Sequence, residues 1–331
     1  MTTGLAKPVV RFTRTAGRMR GTTWAWLRPV AAAATLTVVV WQLGVGPFID
    51  GIRAVDGAAL AAGAVIGVLT TLCCAWRWTT VARGLSLPLS FPAAVAAYYR
   101  SVFLNLTLPG GVVGDVHRGV SHGRNVRDVG LALRAVAWER TAGQVAQAVI
   151  TVAVLAALPS PVRSAIPLVV VVLVAAAIAV VLVRRARPGD GRSWWARIRR
   201  TIVGDVRDAL LARRAWPAIA LASVLVVLGH ATTFVIAART AGATAPLSQL
   251  VPLALLAMLA MVLPSIAGWG PREGATAWAF AAAGLSAELG VATAVVYGVM
   301  VLVASLPGAL FLVAAWVPRP AAAQTDRAAN A

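Results

Sequence analysis

Two short runs bring proline, glycine and arginine together inside apolar sequence: LPGGVVGDVHR at residues 108–118 and LPSIAGWGPRE at residues 263–273. Backbone that leaves the helix at membrane depth exposes polar groups at several kcal/mol each, and is tolerated only when buried in protein or lining water. Pro109, Gly110, Gly111 and Gly114, and in the second run Pro264, Gly268 and Gly270, therefore predict a protected cavity. A helix starting just after the glycines aims its free N–H groups into that cavity. Arg118 and Arg272 then add guanidiniums suited to paired, charge-assisted hydrogen bonds with phosphate. The chemistry predicted is anion binding. A structural reading competes with it: Asp115 stands three residues before Arg118 and Glu273 follows Arg272, so each arginine then neutralises a neighbour.

Further candidates lie around the first run. Arg100 sits in apolar sequence, where a central arginine costs about 2.5 to 3.5 kcal/mol on insertion scales and so needs a partner or water. Glu139, beside Arg140, is the expected partner, the alternative being a solvated Glu139–Arg140 pair at a helix end. Asn105 falls in the same arm. His230, alone on an apolar span, reads as a packed residue, and His117 draws interest only through its neighbours. No Gly-x-Ser-x-Gly elbow, GxxxxGK[ST] loop or Cys/His metal spacing is present, so no catalysis, cofactor or metal is expected. Cys73 and Cys74 are adjacent and suit neither a disulfide nor zinc.

The elements that must position these residues are membrane helices. With 60% hydrophobic and 12% charged residues, and a mean hydropathy of +0.81, a soluble domain would lack the polar surface to cover itself. Apolar stretches near the roughly 20 residues that a bilayer core demands run over 29–46, 57–76, 135–158, 165–183, 216–238 and 290–317, and two more, 91–108 and 248–267, lead into the two Leu-Pro runs. The net charge of +19 comes almost wholly from arginine, Lys7 being the lone lysine. Without a soluble basic domain this charge reads as positive-inside topology, and no nucleic-acid partner is expected.

Arginines thread the chain. Those of residues 1–28 place a basic N-terminal tail in the cytoplasm as part of a retained signal anchor. The arginine-rich connector 184–215 belongs on the same side. Both conditions hold if residues 91–118 enter and return as a re-entrant hairpin, with a second hairpin at 248–283. The fold class expected is an all-α polytopic membrane protein of about six full spans and two hairpins in an inverted-topology repeat, eight spans being the alternative. Its parts are a first repeat at 29–158, an external loop at 159–164, a second repeat at 165–317 and a cytoplasmic tail at 318–331. Broken helices in matching halves point to a transporter's binding site.

Taken in order, Arg100, Asn105, Leu108-Pro109-Gly110-Gly111, Gly114-Asp115, Arg118, Glu139-Arg140, then Leu263-Pro264, Gly268, Gly270, Arg272 and Glu273 resemble the lysylphosphatidylglycerol synthase transmembrane domain family, also called flippase-like domain proteins. The resemblance covers about residues 25–317. It implies a domain that moves lipid between leaflets, here without the cytosolic aminoacyltransferase domain of larger members, hence translocation without lipid synthesis. One departure stands out: the family pattern calls for an arginine after Tyr297, where this chain has Gly298. The expected function is a bacterial plasma-membrane translocase, not an enzyme, for an anionic or polyprenyl-phosphate-linked lipid. A non-transporting membrane partner of a separate glycosyltransferase or lipid-modifying enzyme is the alternative. A third, less favoured reading is an ion-coupled transporter of a small soluble anion.

Overall fold

The computed structural model describes residues 33–158, 194–261 and 269–316. The expected span at 165–183, the loop at 159–164, both tails, Pro264 and Gly268 lie outside the described residues. The chain is an all-α polytopic membrane protein. Helices α3 (Gly57–Gly84), α6 (Val129–Ala157), α8 (Trp216–Thr240) and the run Ala287–Ala314, made of α11 (Ala287–Ser305) and α12 (Pro307–Trp316), are each long and apolar enough to cross a bilayer. Their starts follow local chemistry. Asp56, Asp128 and Ser286 accept the backbone N–H groups of Ala59, Leu131 and Leu289, capping α3, α6 and α11, and Pro217 sits in the first turn of α8, where its missing N–H costs nothing.

Both glycine-bearing runs interrupt helices. Helix α4 (Phe91–Thr107) gives way at Leu108 and returns as α5 (Val113–Asn125), while α9 (Leu247–Ala260) and α10 (Pro271–Ala282) form the second pair. In each pair the two helices pack on one another. At 13, 14 and 12 residues three of these arms are shorter than a bilayer crossing requires, and α4, at 17, stands at the lower limit. Gly110 and Gly111 turn the first hairpin with φ of +106° and +64°, and Gly270 opens α10 at +118°, backbone that glycine adopts without a Cβ penalty. The open end of the second hairpin is closed by Gln249, whose amide donates to the Ala283 carbonyl at 2.7 Å.

Packing repeats between the two halves. Helix α3 packs on α4, α6 and α11, and α8 packs correspondingly on α9, α11 and α6. The pairs α4–α5 and α5–α6 are matched by α9–α10 and α10–α11, and α4–α11 by α9–α6. The two lead helices cross each other at the centre. Ala59, near the start of α3, shares a core cluster with Phe234, Ala237 and Ala238 near the end of α8. At the other end Val81 clusters with Ala215 and Ile219. Helices α3 and α8 therefore run antiparallel. Gly229 lies so close to Thr70 that a methyl group there would overlap the threonine side chain.

Two features depart from the sequence reading. The first apolar run ends as helix α1 (Ala33–Leu43), after which the chain bends by 96° into a short helix α2 (Gly46–Ala54) packed on α11. Gly44, at φ +73°, makes the bend. The connector expected to be a plain polar loop at 184–215 contains helix α7 (Trp194–Asp205), which continues as a widened turn over Val206–Leu210. Asp205 docks this segment on α6, accepting from Trp138 Nε1 at 2.9 Å and pairing with Arg134 at 3.0 Å.

Candidate functional site

A chain of buried charge runs through the first half. Glu139, fully buried on α6, receives Arg77 Nε at 2.8 Å and Nη2 at 2.6 Å on one oxygen, and Arg118 Nη2 at 2.6 Å on the other. Arg118 also pairs with Asp115 at 2.9 Å, and Arg140 reaches the other Asp115 oxygen at 2.7 Å. Asn105 donates to Asp115 at 2.7 Å while its own carbonyl accepts the Gly114 N–H at 2.7 Å. Arg118 is sandwiched between Trp78 and Tyr98, its guanidinium carbon 4.6 and 4.4 Å from the ring centres. Removing one partner of such a buried pair leaves an uncompensated charge at about 3 to 5 kcal/mol, so the members hold one another in place.

The second half is simpler. Arg272 donates through Nε to Glu273 at 2.9 Å, and Glu273 accepts the Gly270 N–H at 2.7 Å. The Arg272 guanidinium lies 5.4 Å from the Tyr297 ring centre and 5.6 Å from that of Trp269. Tyr297 in turn places its hydroxyl 2.9 Å from His230 Nδ1.

Between the halves lies a cavity of about 290 Å³. Its walls come from the four candidate spans and from both hairpins. Arg77, Arg140 and Arg272 line it together with Tyr98, Asn105, Gly111, Gln144, Gln147, Ser223, His230, Thr233 and Tyr297. No aspartate or glutamate is among the described lining residues. Asp115, Glu139 and Glu273 all stand behind the wall, turned to their arginines. In the first cluster three guanidiniums face two carboxylates, leaving one net positive charge beside the cavity. In a low-dielectric interior this arrangement attracts an anion far more strongly than in water.

The predicted residues divide accordingly. Asn105, Gly111, Arg140 and Arg272 line the cavity. Gly114 does not line it, and packs so tightly on the Ser101 carbonyl that a Cβ would overlap it; Pro109 is exposed, and Gly110 is partly buried away from the cavity. Arg118 does not reach the cavity: it is fully buried against its carboxylates and rings, as the structural reading had it. Arg100 is partly buried, with Nε unpaired among the described residues, and Glu139 does not partner it because Arg77 and Arg118 occupy both carboxylate oxygens. Nor do Glu139 and Arg140 form a solvated pair. The helix N-termini are not free phosphate cradles either. Each carries its own carboxylate at the third helical position, Asp115 in α5 and Glu273 in α10, and the N–H groups of Gly114 and Gly270 are taken by side chains.

Sequence reasoning missed Arg77. It is 6% exposed, hydrogen-bonds Ser223 of the other half at 3.1 Å and lines the cavity. An arginine inside an otherwise apolar helix was the available signal. His230, expected as simple packing, also lines the cavity, and Gln144 and Gln147 gave no warning in sequence.

The sequence profile described as lysylphosphatidylglycerol synthase TM region matches residues 25–308. The chain therefore belongs to that family. Comparison with curated proteins finds no match.

Proposed function

We propose that this protein moves an anionic or polyprenyl-phosphate-linked lipid between the leaflets of a bacterial plasma membrane, holding the headgroup in the cavity between its halves. One observation carries the reading: a cavity enclosed by candidate spans and walled by three guanidiniums, with every neighbouring carboxylate among the described residues turned away. Burying arginine at membrane depth is costly, and such residues mark substrate paths. A phosphate in that space gains charge-assisted hydrogen bonds that offset its own desolvation.

The matched packing of α3–α6 and α8–α11, with antiparallel lead helices, supports an inverted-topology repeat of two re-entrant hairpins and full spans, and the arginines of residues 1–28 and 184–215 favour cytoplasmic termini. No covalent step is part of the proposal. The deciding experiment reconstitutes the purified full chain alone into vesicles holding a headgroup-labelled anionic lipid and follows access of a membrane-impermeant reagent to the inner-leaflet label. Faster access than in empty vesicles is expected. Unchanged access with folded protein would refute the proposal and leave the role of a membrane partner to a separate lipid-modifying enzyme or the transport of a small soluble anion.

A further inference from the structure

We propose that the cavity takes a phosphate bearing an uncharged, polyhydroxylated head and discriminates against heads that carry an ammonium group; this rests on the reading of the cavity as a headgroup site. An ammonium needs a carboxylate or an open aromatic face. Among the described lining residues there is no carboxylate, and those behind the wall are already engaged: Glu139 with Arg77 and Arg118, Asp115 with Arg118, Arg140 and Asn105, Glu273 with Arg272. Both tyrosine rings of the wall are occupied too, Tyr98 by Arg118 and Tyr297 by Arg272. The only charged groups that a cation would meet among the described lining residues are guanidiniums.

The rest of the polar wall suits hydroxyl groups. Gln144 and Gln147 lie three residues apart on α6, hence on one face, and the Gln147 Nε2 amide is buried without a hydrogen-bond partner among the described residues. A buried donor left unpaired costs about 1 to 3 kcal/mol, and a ligand oxygen removes that cost. Thr70 and Thr233 spend their hydroxyl protons on the carbonyls of Gly67 and Gly229, which leaves their oxygens as acceptors. Amide donors beside hydroxyl acceptors match a group whose oxygens both give and take protons. The spacing also fits: Gln147 lies seven residues beyond Arg140, about 10 Å along the helix, so a head extends from a phosphate at Arg77 and Arg140 along the neutral wall. Glycerol on a phospholipid and a sugar on an isoprenyl phosphate share this chemistry. The lysyl group in the family's description, with its amino groups, does not.

The test measures binding of four short-chain probes to the purified full chain in detergent: dioctanoyl-phosphatidylglycerol, dioctanoyl-phosphatidic acid, dioctanoyl-lysylphosphatidylglycerol and farnesyl-phosphoryl-glucose. Phosphatidylglycerol or the farnesyl sugar should bind at least about tenfold more tightly than the lysyl lipid, and the tighter of the two identifies the source of the head. Gln147→Leu should weaken the polyol probe about threefold to tenfold more than phosphatidic acid, which has a phosphate and no polyol. Thr233→Val should act in the same direction, and serves if Gln147→Leu does not fold. Equal or tighter binding of the lysyl lipid overturns the selectivity while sparing the headgroup reading. An equal effect of both substitutions on the polyol probe and phosphatidic acid overturns the polyol contact. Binding of none of the four removes the headgroup site itself.

Discussion

Arg118 and Arg140 reach the same carboxylate, and their different burial predicts opposite roles. Arg118 is fully buried, bonded to Asp115 and Glu139 and stacked between two rings. In Arg118→Lys the charge stays but the planar fork is lost. Losing one charge-assisted bond at about 1.5 to 3 kcal/mol and a desolvated cation–π sandwich at about 0.5 to 2 gives a total near 2 to 5 kcal/mol. That is a large part of a typical stability of about 5 to 15 kcal/mol, so protein yield and thermal midpoint should both fall. Arg140 is 40% exposed, and pairs of that kind are worth about 0 to 1 kcal/mol. Arg140→Gln should leave yield and midpoint nearly unchanged, since Asp115 keeps Arg118, Asn105 and Ser101. Its cost should appear in transport per folded molecule, where one lost bond to phosphate amounts to about tenfold to a hundredfold. Thermal size-exclusion profiles beside vesicle transport read both quantities. A stable but inactive Arg118→Lys, or an Arg140→Gln that unfolds as readily as Arg118→Lys, would refute this division.

Three further expectations follow from the same geometry. Glu139→Gln leaves Arg77 and Arg118 buried together around a neutral amide, so stability should drop by about 3 to 5 kcal/mol; in a double-mutant cycle with Arg77→Gln the combined loss should be well below the sum, and strict additivity would show that the two do not interact. Gly298→Ala puts a methyl group into the Arg272 guanidinium; the flexible arginine should move, costing about 1 to 3 kcal/mol and lowering anion affinity, while wild-type affinity would show that Arg272 does not bind from this position. In the proposed topology, cysteines at Asn125 and Arg197 should label only from the cytoplasmic side and one at Thr244 only from outside. External labelling at 197 contradicts it.

Much of the frame was legible because it depends on local pattern. The run expected at 216–238 is a helix over Trp216–Thr240, and the one expected at 290–317 begins at Ala287. Helices α3 and α6 extend beyond their apolar runs, to Gly84 and back to Val129, since Arg77, Arg83 and Arg134 lower local hydropathy without breaking a helix. The breaks at Gly110, Gly111 and Gly270 followed from glycine itself. The site was less legible because its geometry joins distant residues. Arg77 meets Glu139 across 62 positions and Ser223 across 146, and no local motif around Arg77 names either partner. Asp115 and Arg118 share a helix turn, so their pairing was foreseeable. That this pairing, extended through Glu139, removes Arg118 from the cavity was not.

In the proposed repeat the halves share spacing and differ in charge. Tyr297 follows Glu273 by 24 residues, as Glu139 follows Asp115, and each is the eleventh residue of its helix, α11 or α6. By that register Gly298 stands where the first half has Arg140. The missing arginine is not left unreplaced. The Arg272 guanidinium lies against Gly298, where a Cβ would meet it, so the second half supplies from its hairpin the cation that the first supplies from a span. The exchange has an electrostatic consequence. Arg77, Arg118 and Arg140 outnumber Asp115 and Glu139 by one charge, whereas Arg272 and Glu273 cancel. Ser223, bonded to Arg77, and His230, bonded to the Tyr297 beside Arg272, stand seven residues apart on α8, about 10 Å along its axis. In the proposed topology the more positive end faces the cytoplasm, so under the proposed function an anionic headgroup would be held more firmly there and more weakly toward the outside.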